Sequence, residues 1–283
     1  MFKTSYFPIY TEVSKNPVMV CGKLPSEVFS YPFFNDEVPL FRERNTRKTI
    51  GFTDEFDFQN SELLKLKGFI FHTSHCGSTL LANMLGVSKS TRIISETEAI
   101  NGLLLSVVFY NLEEEVLLKN LKTIIASYLQ PLGDAEQVVF KLTSWNVFFI
   151  QLFQKAYPEV PWIFIDRKTE EVVKSLSTSG RGFVEWFYHP TTILQNYFLG
   201  EKRQPESIEK YLSEMVDVHK NCAVKAPFGK NLLLEYPSFL NEFEYKILPH
   251  FGLEYSEKEL QAAQEIKKWE AKSFGKTPFP FSE

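Results

Sequence analysis

The sequence predicts an α/β protein, a three-layer sandwich in which helices cover both faces of a central, mostly parallel β-sheet. From Gly68 onward, short apolar runs alternate with longer segments of helical periodicity, a pattern typical of parallel sheets. The runs are almost wholly apolar, as strands buried on both faces are. Hydrophobic residues make up 44% of the 283 positions, enough for a sizeable core, which excludes disorder of the bulk of the chain.

Strands are predicted over 68–72, 138–142 and 162–166, and a helical pattern follows each. The first strand precedes helical segments over 79–85 and about 99–129, and the second precedes one over 145–157. After the third strand, Thr169 resembles an N-cap, with acidic residues in the first turn. Further helices are predicted over 205–220 and from the capping box at Ser256 to a stop at Gly275.

Two regions differ in composition. Residues 1–65 are rich in Pro, Phe and acidic side chains and show no regular period, so we expect an irregular N-terminal extension packed on the main domain, which spans 66–283. No internal repeat or low-complexity tract is visible, which argues against a solenoid.

Charge and composition exclude several classes. The chain carries 31 Lys plus Arg against 35 Asp plus Glu, a net charge of −4, so anion binding must be local and a nucleic-acid partner is disfavoured. The cysteines Cys21, Cys76 and Cys222 show no C-x-x-C spacing, so we expect reduced thiols, and no required metal. No signal peptide and no apolar stretch of membrane-spanning length is visible, which predicts a cytoplasmic protein without membrane insertion.

The loop after the first strand is the most informative stretch. Residues 72–79 read His-Thr-Ser-His-Cys-Gly-Ser-Thr between a strand and a helix, a geometry that directs backbone N–H groups and a helix N-terminus at one anion. The candidate binding residues are Ser74, His75, Cys76, Gly77, Ser78 and Thr79. An ordinary polar turn is the alternative.

Two phosphate chemistries fit this loop poorly. No Lys or Arg occurs from Gly68 to Ser88, whereas an ATP-binding P-loop places a Lys next to the β and γ phosphates. A cysteine phosphatase would carry an Arg where Ala82 stands, six positions after Cys76.

The segments 72–85 and 92–96 resemble the nucleotide-binding start of the sulfotransferase family, whose loop commonly reads T-x-[KR]-[ST]-G-[ST]-T. The family also places an Arg at a strand end and a Ser eight residues later, as Arg167 and Ser175 stand here. Residues 247–254 resemble a late family segment, so the likeness covers about 68–276.

The resemblance implies a P-loop NTPase-like sulfotransferase architecture. It further implies an enzyme that moves a sulfuryl group from 3′-phosphoadenosine 5′-phosphosulfate (PAPS) to a hydroxyl or amine of a small-molecule acceptor. In the family, the residues matching Arg167 and Ser175 hold the 3′-phosphate of PAPS.

The resemblance also suggests catalytic groups, with departures. His75 stands where most members carry Lys or Arg and could replace that cation only when protonated. Lys141 is the expected additional cation. Thr143 stands where cytosolic members have a catalytic His, so the base is expected to be Glu96, or else Glu98; the alternative is that either one caps the next helix.

Two later stretches leave alternatives open. Residues 180–190 combine glycines with aromatic side chains and predict either a lid or core packing. Lys225 and Lys230 flank a Pro-Gly turn that could also contact the 3′-phosphate. The rival functions are a P-loop-type kinase without its Lys and a non-catalytic nucleotide-binding module.

Overall fold

The structure is a computed structural model that describes residues 4–30, 33–39, 47–52, 62–200, 205–226 and 230–268. The strands are β1 Thr4–Thr11, β2 Val18–Pro25, β3 Arg47–Gly51, β4 Lys65–His72, β5 Thr91–Ser95, β6 Gln137–Lys141, β7 Trp162–Asp166 and β8 Asn231–Glu235. The helices are α1 Phe34–Glu37, α2 Ser78–Leu85, α3 Glu98–Tyr110, α4 Glu114–Tyr128, α5 Ile150–Ala156, α6 Thr169–Ser179, α7 Phe183–Tyr188, α8 Ile193–Leu199, α9 Ile208–Val224, α10 Phe239–Glu242, α11 Leu248–Phe251 and α12 Glu257–Ile266.

The central sheet has five parallel strands in the order β5-β6-β4-β7-β8. Its central strand β4 pairs Phe69 with Phe140 of β6 and with Trp162 of β7. This arrangement confirms the predicted α/β class with a parallel central sheet. Because all five strands run the same way, their carboxyl ends and the loops that follow lie along one edge, where such sheets bind ligands.

Helices cover both faces of this sheet. Phe69, Phe71 and Phe140 belong to a core cluster with residues of α3, α4, α5 and α9. Ile70 and Val139 belong to a second cluster with residues of α2, α11 and α12. Successive strand side chains alternate between the two clusters, as the pleat requires, and the three predicted layers are confirmed.

The N-terminal region contains a second sheet, antiparallel and in the order β1-β2-β3. The expectation of an irregular extension is therefore wrong for its described residues. The β1-β2 register shifts between Pro8 and Tyr10, which interrupts the two-residue period that would mark a strand. Phe7 and Met19 lie in the same core cluster as Phe69, so this sheet packs directly on the α/β layers.

Arg92 of β5 anchors the N-terminal region. Its guanidinium is buried and donates at 2.8 Å to the carbonyl oxygens of Tyr128, Gln130 and Leu132. The Phe29 ring lies 4.7 Å from this guanidinium. Burial lowers the pKa of Arg92 to about 10. The extension and the end of α4 thus share one buried cation.

The helices follow the predicted pattern with local differences. The segment 99–129 divides at Asn111, whose φ of 51° ends α3. The segment 145–157 begins with a 3₁₀ turn, Ser144–Phe149, before α5. The capping box at Ser256 is confirmed, but α12 ends at Ile266, and the expected stop at Gly275 lies outside the described residues. In the part of the chain that the structure describes, no helix combines the length and apolar character needed to cross a bilayer.

Candidate functional site

Residues 73–77, which we call the anion loop, join β4 to α2. Ser74, His75 and Gly77 have positive φ angles of 72°, 47° and 82°. Left-handed residues in a tight turn bring backbone N–H groups to a common side, and the N-terminus of α2 adds its partial positive charge there. The predicted strand-loop-helix geometry is confirmed.

Gly77 is required at its position in the loop. A Cβ built there would lie 2.6 Å from Cδ2 of Tyr236, closer than nonbonded carbon atoms approach. Its φ of 82° also disfavours an L side chain. The Tyr236 ring therefore packs directly against the backbone of the anion loop at Gly77.

His72, the last residue of β4, holds the start of the loop. Its Nε2 lies 2.8 Å from the Leu142 carbonyl oxygen, and its Nδ1 lies 3.1 Å from the Ser74 nitrogen. A carbonyl oxygen accepts and a backbone N–H donates, so these contacts require the neutral Nε2–H tautomer. Burial, reinforced by the Lys141 charge, lowers the pKa of His72 well below its usual value. The Ser74 N–H is thus committed to His72, and Ser74 shapes the loop rather than offering that donor.

Cys76 faces the core. Its side chain is fully buried in the cluster beneath α2, and burial raises the pKa of the thiol to about 11. The thiol is neutral at physiological pH, so only the backbone of Cys76 is suited to anion contact. Ser78 and Thr79 begin α2 and are also buried, at 5% and 6% exposure.

The two predicted halves of the nucleotide site meet at His75. Its Nδ1 lies 2.6 Å from the Ser175 hydroxyl oxygen of α6. The Arg167 Nη1 donates to the His75 carbonyl oxygen at 3.0 Å. Because β7 is the neighbour of β4, the end of β7 and the second turn of α6 reach the anion loop across one strand spacing.

Arg167 is held in place without being enclosed. Its Nε donates to the Glu171 carboxylate at 2.8 Å, and its guanidinium lies 4.9 Å from the centre of the Tyr236 ring. The side chain is 27% exposed. A guanidinium has five N–H donors, and the contacts with His75 and Glu171 use two of them, so donors remain for an anion.

Lys220 of α9 adds a second cation beside Arg167. Its ammonium donates to the Arg167 carbonyl oxygen at 3.0 Å and lies 3.1 Å from the Asp166 carboxylate. Burial raises the pKa of Asp166 even though Lys220 opposes this shift. The end of β7 is thereby tied to α9, which keeps the Arg167 backbone in position.

A second cluster lies at the ends of β5 and β6. The Lys141 ammonium donates to the Glu96 carboxylate, and the Glu96 N–H donates to the Lys141 carbonyl oxygen at 2.8 Å. The lysine side chain is 1% exposed and that of Glu96 is 26% exposed. His72 Nε2 lies 3.9 Å from Glu96 Oε1, which places this ion pair beside the anion loop.

Glu98 occupies a different environment. Thr97 is the N-cap of α3, and Glu98 lies in the first turn, where its carboxylate accepts from Asn101 at 3.4 Å. Desolvation raises the pKa of Glu98, and the nearby Glu96 charge adds to the shift. Of the two candidate bases, the structure brings Glu96, and not Glu98, to Lys141.

Lys230 of the late basic segment lies at the opposite edge of the sheet, where β8 begins. The Lys230 carbonyl oxygen accepts from the Trp162 N–H at the start of β7, and its ammonium lies 3.2 Å from the Glu159 carboxylate. Lys225 follows the last turn of α9 and lines a separate cavity of about 670 Å³. The expectation of contact with the 3′-phosphate is therefore wrong for Lys230, while for Lys225 it remains a prediction; residues 227–229 lie outside the described part.

The aromatic stretch 180–190 contains α7, and part of that helix packs inward. Phe183 is 3% exposed, and the Trp186 ring stacks on Phe198 at 5.7 Å and lies 6.1 Å from Trp145. Tyr188, in contrast, is 70% exposed. The core-packing alternative describes Phe183 and Trp186, while a lid motion remains a prediction.

Two residues of the site, His72 and Lys220, were not predicted from the sequence. His72 ends a correctly predicted strand at the edge that bears the loop, so its position was a usable signal. Lys220 ends the predicted helix 205–220, but nothing local connects it to Asp166. Among the described residues, no three His, Cys, Asp or Glu side chains cluster as metal ligands, and the absence of a required metal remains a prediction.

The fold is that of an α/β protein in which a strand-loop-helix lies at the carboxyl edge of a parallel sheet. No family model and no curated protein sequence matches the chain. Among solved structures, the chain is similar to sulfotransferases. One is the sulfotransferase domain of the Synechococcus PCC 7002 olefin synthase, with a TM-score of 0.41, 12% identity and coverage of 80% of this chain and 85% of that one.

Two further sulfotransferases share this similarity. The Alicyclobacillus acidocaldarius sulfotransferase has a TM-score of 0.40, 11% identity and coverage of 72% and 91%. Mouse SULT7A1, solved with PAP, has a TM-score of 0.34, 15% identity and coverage of 71% and 64%. Because every one of these TM-scores lies below 0.5, the likeness transfers no activity, and a functional proposal must stand on the residues of the site.

Proposed function

We propose that the chain is a PAPS-dependent sulfotransferase that moves a sulfuryl group to a hydroxyl or amine of a small-molecule acceptor. The observation that carries the proposal is the convergence at His75. The anion loop, Arg167 and Ser175 come from distant parts of the sequence and meet within hydrogen-bond distance.

The donor fits these groups by charge and shape. The loop N–H groups and the N-terminus of α2 suit the 5′-phosphosulfate, because both direct fixed hydrogen-bond donors at an anion. Arg167 suits the 3′-phosphate, because a guanidinium donates two parallel hydrogen bonds to phosphate oxygens. Without a loop lysine, the site is less suited to the β and γ phosphates of ATP.

The proposed reaction is an in-line displacement. The Glu96 carboxylate removes the proton from the acceptor, whose oxygen or nitrogen forms a bond to sulfur. The bond between sulfur and the bridging phosphate oxygen breaks, and its electron pair leaves with adenosine 3′,5′-bisphosphate. His75 in its protonated form, together with the loop N–H groups, stabilises the charge on that oxygen.

The ion pair defines the orientation of the base. Lys141 and His72 both lie on the Oε1 side of Glu96. We therefore assign Oε2 as the atom that accepts the acceptor's proton. Lys141 also places a positive charge beside the transferring group, which favours the charge that develops there.

Ligand-induced stabilisation tests the proposal. Adenosine 3′,5′-bisphosphate at 100 times its Kd should raise the free energy of unfolding by about 2.7 kcal/mol, whereas ATP with magnesium should not. Arg167→Ala should weaken this binding about 10- to 100-fold, as expected when a charged hydrogen-bond donor is lost. Arg181→Ala, which removes another exposed arginine, is the matched control and should bind like the parent.

A transfer assay separates the alternatives. Transfer of label from radiolabelled PAPS to members of a hydroxyl and amine panel supports the proposal. Binding of adenosine 3′,5′-bisphosphate without any transfer favours a non-catalytic module. Stabilisation by ATP with magnesium alone favours the kinase alternative and overturns the proposal.

A further inference from the structure

We infer that Phe33 is a positioning and specificity-determining residue that covers the Lys141 ammonium and forms an apolar wall beside Glu96 for the acceptor. The inference rests on the proposed function for its acceptor part. Phe33 belongs to residues 33–37, which we call the cover segment and which come from the N-terminal region.

The contact between Phe33 and Lys141 is direct. The Lys141 Nζ lies 4.7 Å from the centre of the Phe33 ring, while the same ammonium donates to the Glu96 carboxylate. The lysine side chain is 1% exposed. An ammonium withdrawn from water needs compensating negative potential, which a carboxylate and an aromatic face both provide. The ring thus replaces water on one side of the candidate catalytic cation.

Hydrogen bonds from Asn35 fix the cover segment to α3 and to β1. Asn35 Oδ1 accepts from the Glu98 N–H at 2.9 Å, and Asn35 Nδ2 donates to the Ile9 carbonyl oxygen at 2.8 Å. The Phe34 ring is buried and lies 5.5 Å from Tyr128. These contacts bind the segment to the start of α3 and to β1, so the ring position follows from fixed neighbours.

The same geometry selects among acceptors. Lys141 contacts both Phe33 and Glu96, and both of those residues are partly exposed whereas Lys141 is not. An acceptor that gives its proton to Glu96 therefore lies within a side chain's reach of the ring. A hydroxyl or amine on an apolar or aromatic skeleton can bury that skeleton against Phe33, whereas a polyol would lose water there without gaining hydrogen bonds.

Chemical labelling tests the cover independently of activity. Lysines of the intact chain are acetylated with acetic anhydride, and the rate at Lys141 is read by mass spectrometry. Phe33→Ala should raise that rate at least about 10-fold, and Phe33→Tyr, which keeps the aromatic face, should retain protection. Phe29→Ala is the matched control, because its ring also lies 4.7 Å from a buried cation, that of Arg92, outside the site.

Acceptor kinetics test the specificity. Phe33→Ala should raise the KM for an aromatic alcohol about 3- to 30-fold and leave the KM for a polyol within about 2-fold, while Phe33→Tyr should restore the parental ratio. Adenosine 3′,5′-bisphosphate should bind all variants alike.

The outcomes that overturn the inference are distinct from failure of the proposed function. Unchanged acetylation of Lys141 in Phe33→Ala, or an equal rise in Phe29→Ala, overturns the covering role. Increased acetylation with an unchanged ratio of KM values overturns the specificity role. If the parent binds no adenosine 3′,5′-bisphosphate and transfers no sulfuryl group, the proposed function and the specificity role both fail, and the acetylation result still decides the covering role.

Discussion

The two halves of the site, the anion loop with Arg167 and the ion pair of Lys141 with Glu96, differ in how far their cations are exposed to water. The anion loop with Arg167 consists of backbone N–H groups and a cation that is 27% exposed. The ion pair of Lys141 and Glu96 contains a lysine that is 1% exposed. Water screens the Arg167 guanidinium, whereas almost none reaches the Lys141 ammonium. On the proposed function, we expect the first half to dominate nucleotide affinity and Glu96 of the second half to dominate turnover.

His72 connects the two halves. It accepts from the Ser74 N–H in the loop and lies 3.9 Å from the Glu96 carboxylate. The Ser74 contact requires an unprotonated Nδ1, whereas protonation of His72 would place a positive charge beside Glu96. A change in the protonation of His72 is therefore expected to disturb both the anion loop and the proposed base Glu96, an effect that pH and substitution can each test.

The largest expected effect is on turnover. Glu96→Gln removes the proposed base and should lower kcat by about 10²- to 10⁴-fold, the usual contribution of general-base catalysis, while the Kd for adenosine 3′,5′-bisphosphate stays within about 3-fold. Steady-state kinetics and calorimetric titration measure the two quantities. Glu98→Gln is the matched control, two residues away, and should keep most of the turnover.

Stability has to be measured on the same variants. Removing one partner of a buried ion pair costs about 3–5 kcal/mol, although a glutamine oxygen can still accept from Lys141. A fall in kcat without a comparable loss of folded protein supports the base assignment. Equal and small effects of Glu96→Gln and Glu98→Gln would contradict it.

The next effect is on stability against pH. His72 and His219 are buried, and burial lowers the pKa of both, that of His219 to about 4. Between that value and the ordinary pKa near 6.5, the unfolded chain binds more protons than the folded one, so stability is lost as the pH falls through this range. For His219 alone the expected loss is about 3 kcal/mol, measured by urea unfolding at pH 7 and pH 4.

Substitution of each histidine separates the contributions. His219 donates to the Met215 carbonyl oxygen and contacts Phe148 and Phe183, away from the ion pair. His219→Gln should flatten the pH dependence without weakening nucleotide binding. His72→Gln should flatten it and weaken nucleotide binding as well, because the Ser74 contact is lost. A parental pH dependence in both variants would refute the burial argument.

The fold was predictable where strands are buried on both faces. The predicted bounds of β4, β6 and β7 lie within a few residues of the observed ones, because a run of apolar residues can be recognised without knowing which segment packs against it. The edge strands were missed. In β5, Arg92 is buried only because three carbonyl oxygens of a distant segment accept from it, and no local pattern reports such partners.

The site was predictable where its geometry is local. The loop between a strand and a helix follows from spacing along the chain, whereas the pairing of Arg167 with Ser175 was implied by the resemblance to the sulfotransferase family. The contacts of Phe33 with Lys141 and of Lys220 with Asp166 join segments far apart in the sequence. In the sequence, each contact is marked only by one ordinary residue, Phe33 or Lys220. Single aromatic and basic residues of this kind are common in cores and on surfaces.

The smallest expected effect concerns the support of the anion loop. Gly77 and Gly180 both have left-handed backbone, with φ of 82° and 64°, but a Cβ at Gly180 would meet nothing within 4 Å. Gly180→Ala should therefore cost only the backbone strain, about 1 kcal/mol of unfolding free energy. Gly77→Ala should cost about 1 kcal/mol more, because the Tyr236 ring must move.

The Tyr236 ring also lies against the Arg167 guanidinium, so a shift of the ring should move the guanidinium that is proposed to bind the nucleotide. Gly77→Ala is expected to weaken binding of adenosine 3′,5′-bisphosphate about 3- to 10-fold, whereas Gly180→Ala leaves it unchanged. Urea unfolding and titration of both variants give the two differences. Equal losses of unfolding free energy in the two variants would mean that the Tyr236 ring moves aside without cost. Nucleotide binding would then depend on Arg167 and not on the position of that ring.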